Sequence, residues 1–203
     1  DRRCNAMLKV TDVPAWDAEA DVVVIGTGFA GLASAIEART SGASVLIIEK
    51  MKAPGGNSTI SDGGIAAAGT PAQRAAGIED SPELMYSDML KAGLGLNHPE
   101  LVREVAYRSA ETYKWSADHV GVPYLDRIDQ FGGHTVPRCY TAEGVTGATI
   151  IKHEMATVRR LQAEVQLQTQ FRSFVVDESG RIAGMQVRRG YDFKDPDAGT
   201  DGF

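Results

Sequence analysis

Three glycines are spaced as GxGxxG in Gly26-Thr27-Gly28-Phe29-Ala30-Gly31, directly after the apolar run DVVVI. In that spacing Gly26 permits a tight turn and Gly28 lets the backbone approach a pyrophosphate. Gly31 lets a helix pack closely on a strand. The N–H groups at the start of such a helix face the phosphate charge. Glu49 follows Gly26 by 23 residues (49 − 26) and ends the next apolar run, SVLIIEK. A carboxylate there is placed to accept hydrogen bonds from an adenosine ribose. The chemistry implied is binding of a dinucleotide cofactor. The alternative for the glycines alone is a strand–helix turn that binds nothing, but strand, turn, helix and acid all agree here.

A second glycine cluster, GGNSTISDGG over residues 55–64, lies a few positions beyond the acid. Four glycines bracket small polar residues, a composition suited to neither strand nor helix, because glycine loses the most backbone freedom on ordering. Such a segment lets a ligand lie against bare backbone. A nicotinamide dinucleotide would need only an ordinary connection at this point. A longer cofactor, FAD, needs a second surface for its isoalloxazine, and Asp62 is suited to bond the backbone that shapes that surface.

The elements that must position these residues are legible around them. DVVVIG and SVLIIEK read as buried strands flanking the Ala-rich AGLASAIEARTSG, a βαβ unit that implies a parallel sheet. Asp80-Ser81-Pro82-Glu83 and Asn97-His98-Pro99-Glu100 each supply capping residues, a first-turn proline and an acid at the positive helix end. The second leads a helix stopped at Gly121, with Leu101, Val102, Val105, Ala106, Tyr113 and Trp115 read as core. GVPYLDRIDQFGGHTVPRCYTAEG reads as loop. A third helix starts near Thr146 with Ile150, Ile151, Met155, Val158 and Leu161 on one side. VQLQTQF and FVVDESGRIAGMQVRR read as β runs, the latter a hairpin turning at ESGR. The first 19 residues show no periodicity and read as an arm.

Bulk properties narrow the class. A 203-residue chain with 43% hydrophobic and 24% charged residues is of ordinary globular composition. The net charge of −6 argues against a nucleic-acid partner, whose binding rests on Lys and Arg. Cys4 and Cys139 form neither a disulfide framework nor a metal-finger spacing, and no metal site is expected. No apolar run is long enough for a transmembrane segment. The N-terminus lacks the apolar core of a signal peptide, which leaves periplasmic and cytoplasmic locations both open for a soluble protein.

DVVVIGTGFAGLASAIEARTSGASVLIIEKMKAPGGNSTISDGG resembles the amino-terminal FAD-binding segment of the fumarate reductase and succinate dehydrogenase flavoprotein family. It is most similar to the soluble flavocytochrome c type fumarate reductases, whose relatives include urocanate reductases and ketosteroid dehydrogenases. EDSPELMYSDMLKAG, HPELVREVAYRSAETYKW, FGGHTVPR and the Thr146-Gly147 helix start extend the likeness to nearly the whole chain from about Ala20. The resemblance implies an α/β, doubly wound, Rossmann-like domain of the glutathione-reductase type over residues 20–203, after an arm of residues 1–19. It implies that Gly26, Gly28, Ala30 and Gly31 hold the pyrophosphate, Glu49 the ribose and Lys50 the adenosine edge. Asn57, Ser58, Gly63 and Gly64 would line the flavin, and Val175 would meet the adenine. Membrane-bound members bond a loop histidine covalently to the flavin. Asn57 stands in its place, and an amide is no nucleophile, so the FAD is expected to be non-covalent.

The implied reaction is reduction of an activated C=C bond, as in fumarate, with electrons from a haem domain, a partner protein or a reduced carrier. The family's capping domain, with its substrate-clamping histidines and arginines and its proton-donating arginine, would follow Phe203. The chain is therefore expected to be an incomplete piece whose catalytic residues lie outside it. The rival reading is a cofactor-binding module without turnover of its own. Within the chain, Arg138 suits a carboxylate or phosphate, or else anchors its loop by bonding backbone carbonyls. His134 beside it is either a titrating group or a hydrogen bonder. His98, His119 and His153 read as structural.

Overall fold

A computed structural model describes residues 7–203. Cys4 lies outside them, and Cys139 is a buried free thiol. In chain order the elements are β1 (Leu8–Lys9), β2 (Val22–Ile25), α1 (Phe29–Thr40), β3 (Val45–Ile48), α2 (Gly56–Thr59), β4 (Gly64–Ala66), α3 (Pro71–Ala75), α4 (Pro82–Ala92), α5 (Pro99–Lys114), β5 (Cys139–Thr141), α6 (Gly147–Arg160), β6 (Glu164–Gln166), β7 (Thr169–Val176), β8 (Ile182–Arg189) and β9 (Thr200–Gly202). This is a mixed α/β fold with parallel and antiparallel sheets. The chain divides into two units, one made of the residues up to Asn57 with Glu154–Phe203, the other of Ser58–His153.

In the first unit the expected βαβ is present. β2 pairs in parallel with β3, Val22 opposite Val45 through Ile25 opposite Ile48, and β6 adds in parallel to β3. β-branched side chains suit this pleated surface. Val45, Ile47 and Ile48 of β3 are buried, as are Leu32, Ala35 and Ile36 of α1. Burying a Leu or Ile contributes roughly 1.5–3 kcal/mol. β2 differs from its expected two-sided burial: it is the edge of the sheet, and its Ile25 is 48% exposed.

The second sheet of this unit runs β1-β7-β8-β9. Its centre is the expected hairpin of β7 and β8, closed by Asp177, whose Oδ1 accepts from Ser179 N, Ser179 Oγ and Arg181 N. VQLQTQF is not one β run. The chain leaves β6, passes Gln168 at φ 51° and enters β7 in the other sheet. The arm is stitched to this sheet: Leu8 pairs with Val175, and Asp17 Oδ2 accepts from Arg189 Nη1 and Phe203 N, each at 2.8 Å.

In the second unit, β4 and β5 pair antiparallel, and α4 and α5 pack with Ala68, Met85 and Ala106 buried between apolar neighbours. The α4 cap is as read, Ser81 Oγ accepting from Leu84 N at 3.1 Å. At α5, His98 is the N-cap but makes no side-chain cap bond, and Asn97 Nδ2 instead donates to Met89 O. Two of the α5 residues read as core are corrected. Leu101 and Val105 are 60% and 53% exposed, and the buried stripe is Val102, Ala106 and Ser109, one helical face. The 121–144 stretch is not all loop, since it contains β5 and isolated bridges from Tyr124 to Ala142 and from Asp129 to Cys139. Residues 55–64 likewise form one turn of helix, α2, and start β4.

Candidate functional site

The turn after β2 has the geometry its glycines imply. Gly26 sits at φ +95°, which disfavours any side chain. A Cβ on Gly31 would lie 2.1 Å from the Gly26 carbonyl oxygen, so helix and strand meet too closely for anything but glycine. Gly28 is the N-cap of α1, and no acidic residue stands in the first turn with Phe29, Ala30 and Gly31. The positive helix end is therefore not neutralised by its own sequence, which suits an anion such as a pyrophosphate.

Glu49, directly after β3, is 5% exposed. Its Oε2 accepts from Thr27 N at 3.0 Å and Thr27 Oγ1 at 2.6 Å, and its Oε1 accepts from Met51 N at 2.9 Å. A carboxylate offers about four acceptor positions, so capacity for a ribose hydroxyl remains. Thr27 is fully buried, and its Oγ1 also accepts from Gly55 N at 2.9 Å. Sequence reasoning missed Thr27, although a hydroxyl residue inside GxGxxG was there to be noticed. Lys50 is exposed. Val175 is fully buried within its sheet, between Leu8 of β1 and Gly184 of β8.

The 55–64 segment begins in the first unit, where Asn57 is exposed, and continues in the second with a half-buried Ser58. Asp62 Oδ1 accepts from Gly64 N at 3.2 Å, the backbone-shaping bond expected of it. Gly63 accepts from Ala142 N, and Ser61 O from Gly147 N. A Cβ on Gly63 would fall 2.7 Å from the Thr146 backbone, so packing within the protein already requires glycine there. Gly64 is exposed, and its nearest neighbour to a built Cβ is Asp62 Oδ1 at 3.5 Å. Of the two, Gly64 is the one that presents bare backbone outward.

Arg138 is fully buried in the second unit, and its partners are carboxylates rather than the backbone carbonyls considered above. Nε and Nη2 grip Asp80 at 3.0 and 2.8 Å, while Nη1 donates to Asp88 Oδ2 at 2.7 Å. Burial by itself would raise the Asp88 carboxyl, but bonds from Thr135 N and Oγ1 and from Arg138 outweigh it and hold it below the usual range. Nη1 also lies 3.2 Å from His134 Nδ1. Arginine only donates, so Nδ1 accepts and the ring proton sits on Nε2. Burial, then the Arg138 charge, pushes His134 below its ordinary pKa.

One buried acid had not been singled out. Glu154 in α6 is 3% exposed, its Oε2 has no hydrogen-bond partner, and burial pushes its pKa up to about 8. Among the described residues no group of His, Cys, Asp or Glu is arranged to hold a metal ion. No helix among them is long and apolar enough to cross a membrane.

A strand–glycine turn–helix–strand unit with a buried acid at the second strand's end defines a dinucleotide-binding protein of the α/β class. Comparison with known proteins makes this particular. Residues 21–196 match the family model described as FAD binding domain. The chain is 40% identical over 185 residues to the acrylate reductase flavoprotein subunit of Shewanella woodyi, covering 91% of this chain and 36% of that protein. It superposes on a flavocytochrome c3 fumarate reductase in its open conformation with TM-score 0.80 at 31% identity, over 86% of this chain and 31% of that one. The 3-ketosteroid-Δ4-(5α)-dehydrogenase of Rhodococcus jostii in complex with 4-androstene-3,17-dione gives TM-score 0.83 at 28% identity, over 97% and 46%. The chain belongs to the FAD-binding domain family, and its cofactor is FAD. It spans about a third of the length of the curated relative it matches. The residues at the turn fit this cofactor: the glycines at 26, 28 and 31 carry no side chain, no acid stands in the first turn of α1, and Glu49 retains acceptor capacity.

Proposed function

We propose that the chain is the FAD-binding part of an oxidoreductase that reduces an activated C=C bond next to a carboxylate, on a doubly wound, Rossmann-like scaffold of the glutathione-reductase type. The observation that carries this reading is the Glu49 carboxylate fixed against the Gly26–Gly31 turn at the ends of two parallel strands. Bound FAD would supply hydride from its N5 to one alkene carbon. The α1 N-terminus, with Gly26, Gly28, Ala30 and Gly31, would hold the pyrophosphate, Glu49 the ribose, and Lys50 and Val175 the adenosine end. Asn57, Ser58, Gly63 and Gly64 would line the isoalloxazine without bonding to it, since the Asn57 amide is no nucleophile.

Arg138 and His134 hold their loop in this reading, because the guanidinium is occupied by two carboxylates. The residues that clamp substrate and deliver its proton would then belong to the rest of the protein. Fumarate-like and acrylate-like acids are the leading substrates, because the matched relatives are named for them. Urocanate and 3-ketosteroids are the alternatives, the second favoured by the fit to the ketosteroid dehydrogenase. A second reading is a module that binds FAD but turns over nothing without a complementary polypeptide, in keeping with Arg138 being occupied by Asp80 and Asp88 rather than open to a substrate.

Reconstitution tests the proposal. The purified chain should quench flavin fluorescence on titration with FAD, and acid precipitation should leave the yellow colour in the supernatant. Failure to bind FAD would overturn the cofactor reading, and colour retained in the pellet would overturn the non-covalent one. Fumarate reduction by reduced viologen with this chain alone would overturn the second reading.

A further inference from the structure

We infer that Thr27 is a positioning residue whose single hydroxyl couples the adenosine end of the FAD site to the start of the flavin-lining segment. The inference rests on the FAD reading above and assigns a role to a residue that the glycine motif leaves unspecified.

The hydrogen-bond directions are fixed by chemistry. The Glu49 carboxylate can only accept, so the Thr27 hydroxyl proton goes to Oε2, 2.6 Å away. The hydroxyl oxygen is then the acceptor for Gly55 N–H at 2.9 Å. Thr27 N–H donates to the same Oε2 at 3.0 Å, and Met51 N–H holds Oε1 at 2.9 Å. Thr27, Glu49 and Gly55 are all buried, so water does not compete for these bonds.

Two consequences follow from one side chain. The carboxylate is locked in a single orientation before any ribose arrives, which spares the cost of ordering it on binding. Gly55, at φ 105°, is pinned two residues before Asn57, so the entry to the flavin-lining segment is set by the same hydroxyl. Both ends of a long cofactor thus register against the turn that holds its middle.

Thr27→Val keeps the shape and removes both hydroxyl bonds, leaving the buried Gly55 N–H without its acceptor. FAD should bind about tenfold to a hundredfold more weakly, as for a buried polar group left unpaired. Thr27→Ser restores donor and acceptor and should return the affinity to within about threefold of the parent. ADP, which lacks the flavin half, should lose less affinity than FAD in Thr27→Val, and the visible band of the bound flavin should shift. In the Thr27→Val/Glu49→Ala double variant the combined loss should be smaller than the product of the two single-variant losses. Thr27→Ala is measured in place of the valine variant if the latter does not fold.

Parent-like FAD binding by Thr27→Val, no rescue by serine, or independent losses in the double variant would each overturn the role. Equal losses for ADP and FAD would overturn the coupling to the flavin end. A parent protein that binds no FAD would instead overturn the cofactor reading itself, and the inference with it.

Discussion

Replacing Glu154 by Gln should stabilise the protein in a manner that depends steeply on pH. The acid is 3% exposed with an unpartnered Oε2, and burial raises its pKa from 4.5 to about 8. A folded-state pKa above the unfolded one means that the native protein holds an extra proton between these values. The stability so gained is complete below pH 4.5 and is lost as pH rises through 8. The gap of about 3.5 pH units corresponds to roughly 5 kcal/mol at 1.36 kcal/mol per unit, an upper bound where water penetrates. Glutamine cannot ionise. Urea denaturation, followed by the fluorescence of Trp16 and Trp115, should show the two proteins nearly equal at about pH 5. The variant should gain on the parent by up to ~1.4 kcal/mol per pH unit from there to about pH 8. Other titrating groups cancel in the difference. A difference that stays flat over this range would refute a protonated, buried Glu154.

Arg138→Met should cost about 3–5 kcal/mol in the same denaturation assay, because Asp80 and Asp88 would be left buried without their cation. Arg138→Met combined with Asp80→Asn and Asp88→Asn should recover part of that loss; no recovery would mean that the cost is packing. His134, whose folded pKa is lowered, should make the protein less stable as pH falls below about 6.5, the loss saturating below its folded pKa. His134→Gln should flatten that acid-side slope, and an unchanged slope would place the titration elsewhere.

Elements whose signal is local were legible in the sequence. The βαβ unit announces itself by two β-branched runs around an Ala-rich helix, and the β7–β8 hairpin by its ESGR turn. What stayed hidden depends on contacts distant in sequence. Gln168 at φ 51° divides an alternating run between two sheets, a choice that strand propensity does not encode. Leu101 and Val105 are apolar, but the face that α5 buries is set by where Ala68 and Met85 lie. In the site, GxGxxG and the trailing acid were read from spacing, whereas the Thr27–Glu49–Gly55 bonds join residues 22 and 28 apart. Arg138 was singled out, but its carboxylate partners, 50 and 58 residues away, were not. Glu154 could have been found: it falls on the stripe of Ile150, Ile151, Met155 and Val158, where any acid must be buried.

The close approach of Gly31 to the Gly26 carbonyl bears on how such a motif would drift. A descendant released from cofactor binding would still need Gly31, because the fold forbids a Cβ within 2.1 Å of that oxygen. Gly28 adopts φ −71° and ψ 175°, a conformation open to most residues, so backbone strain would not keep it a glycine. In a dinucleotide turn this is the glycine that lets the backbone approach the pyrophosphate. Among distant sequences carrying this turn, the middle glycine would separate proteins that still bind a dinucleotide from those that merely keep its scaffold.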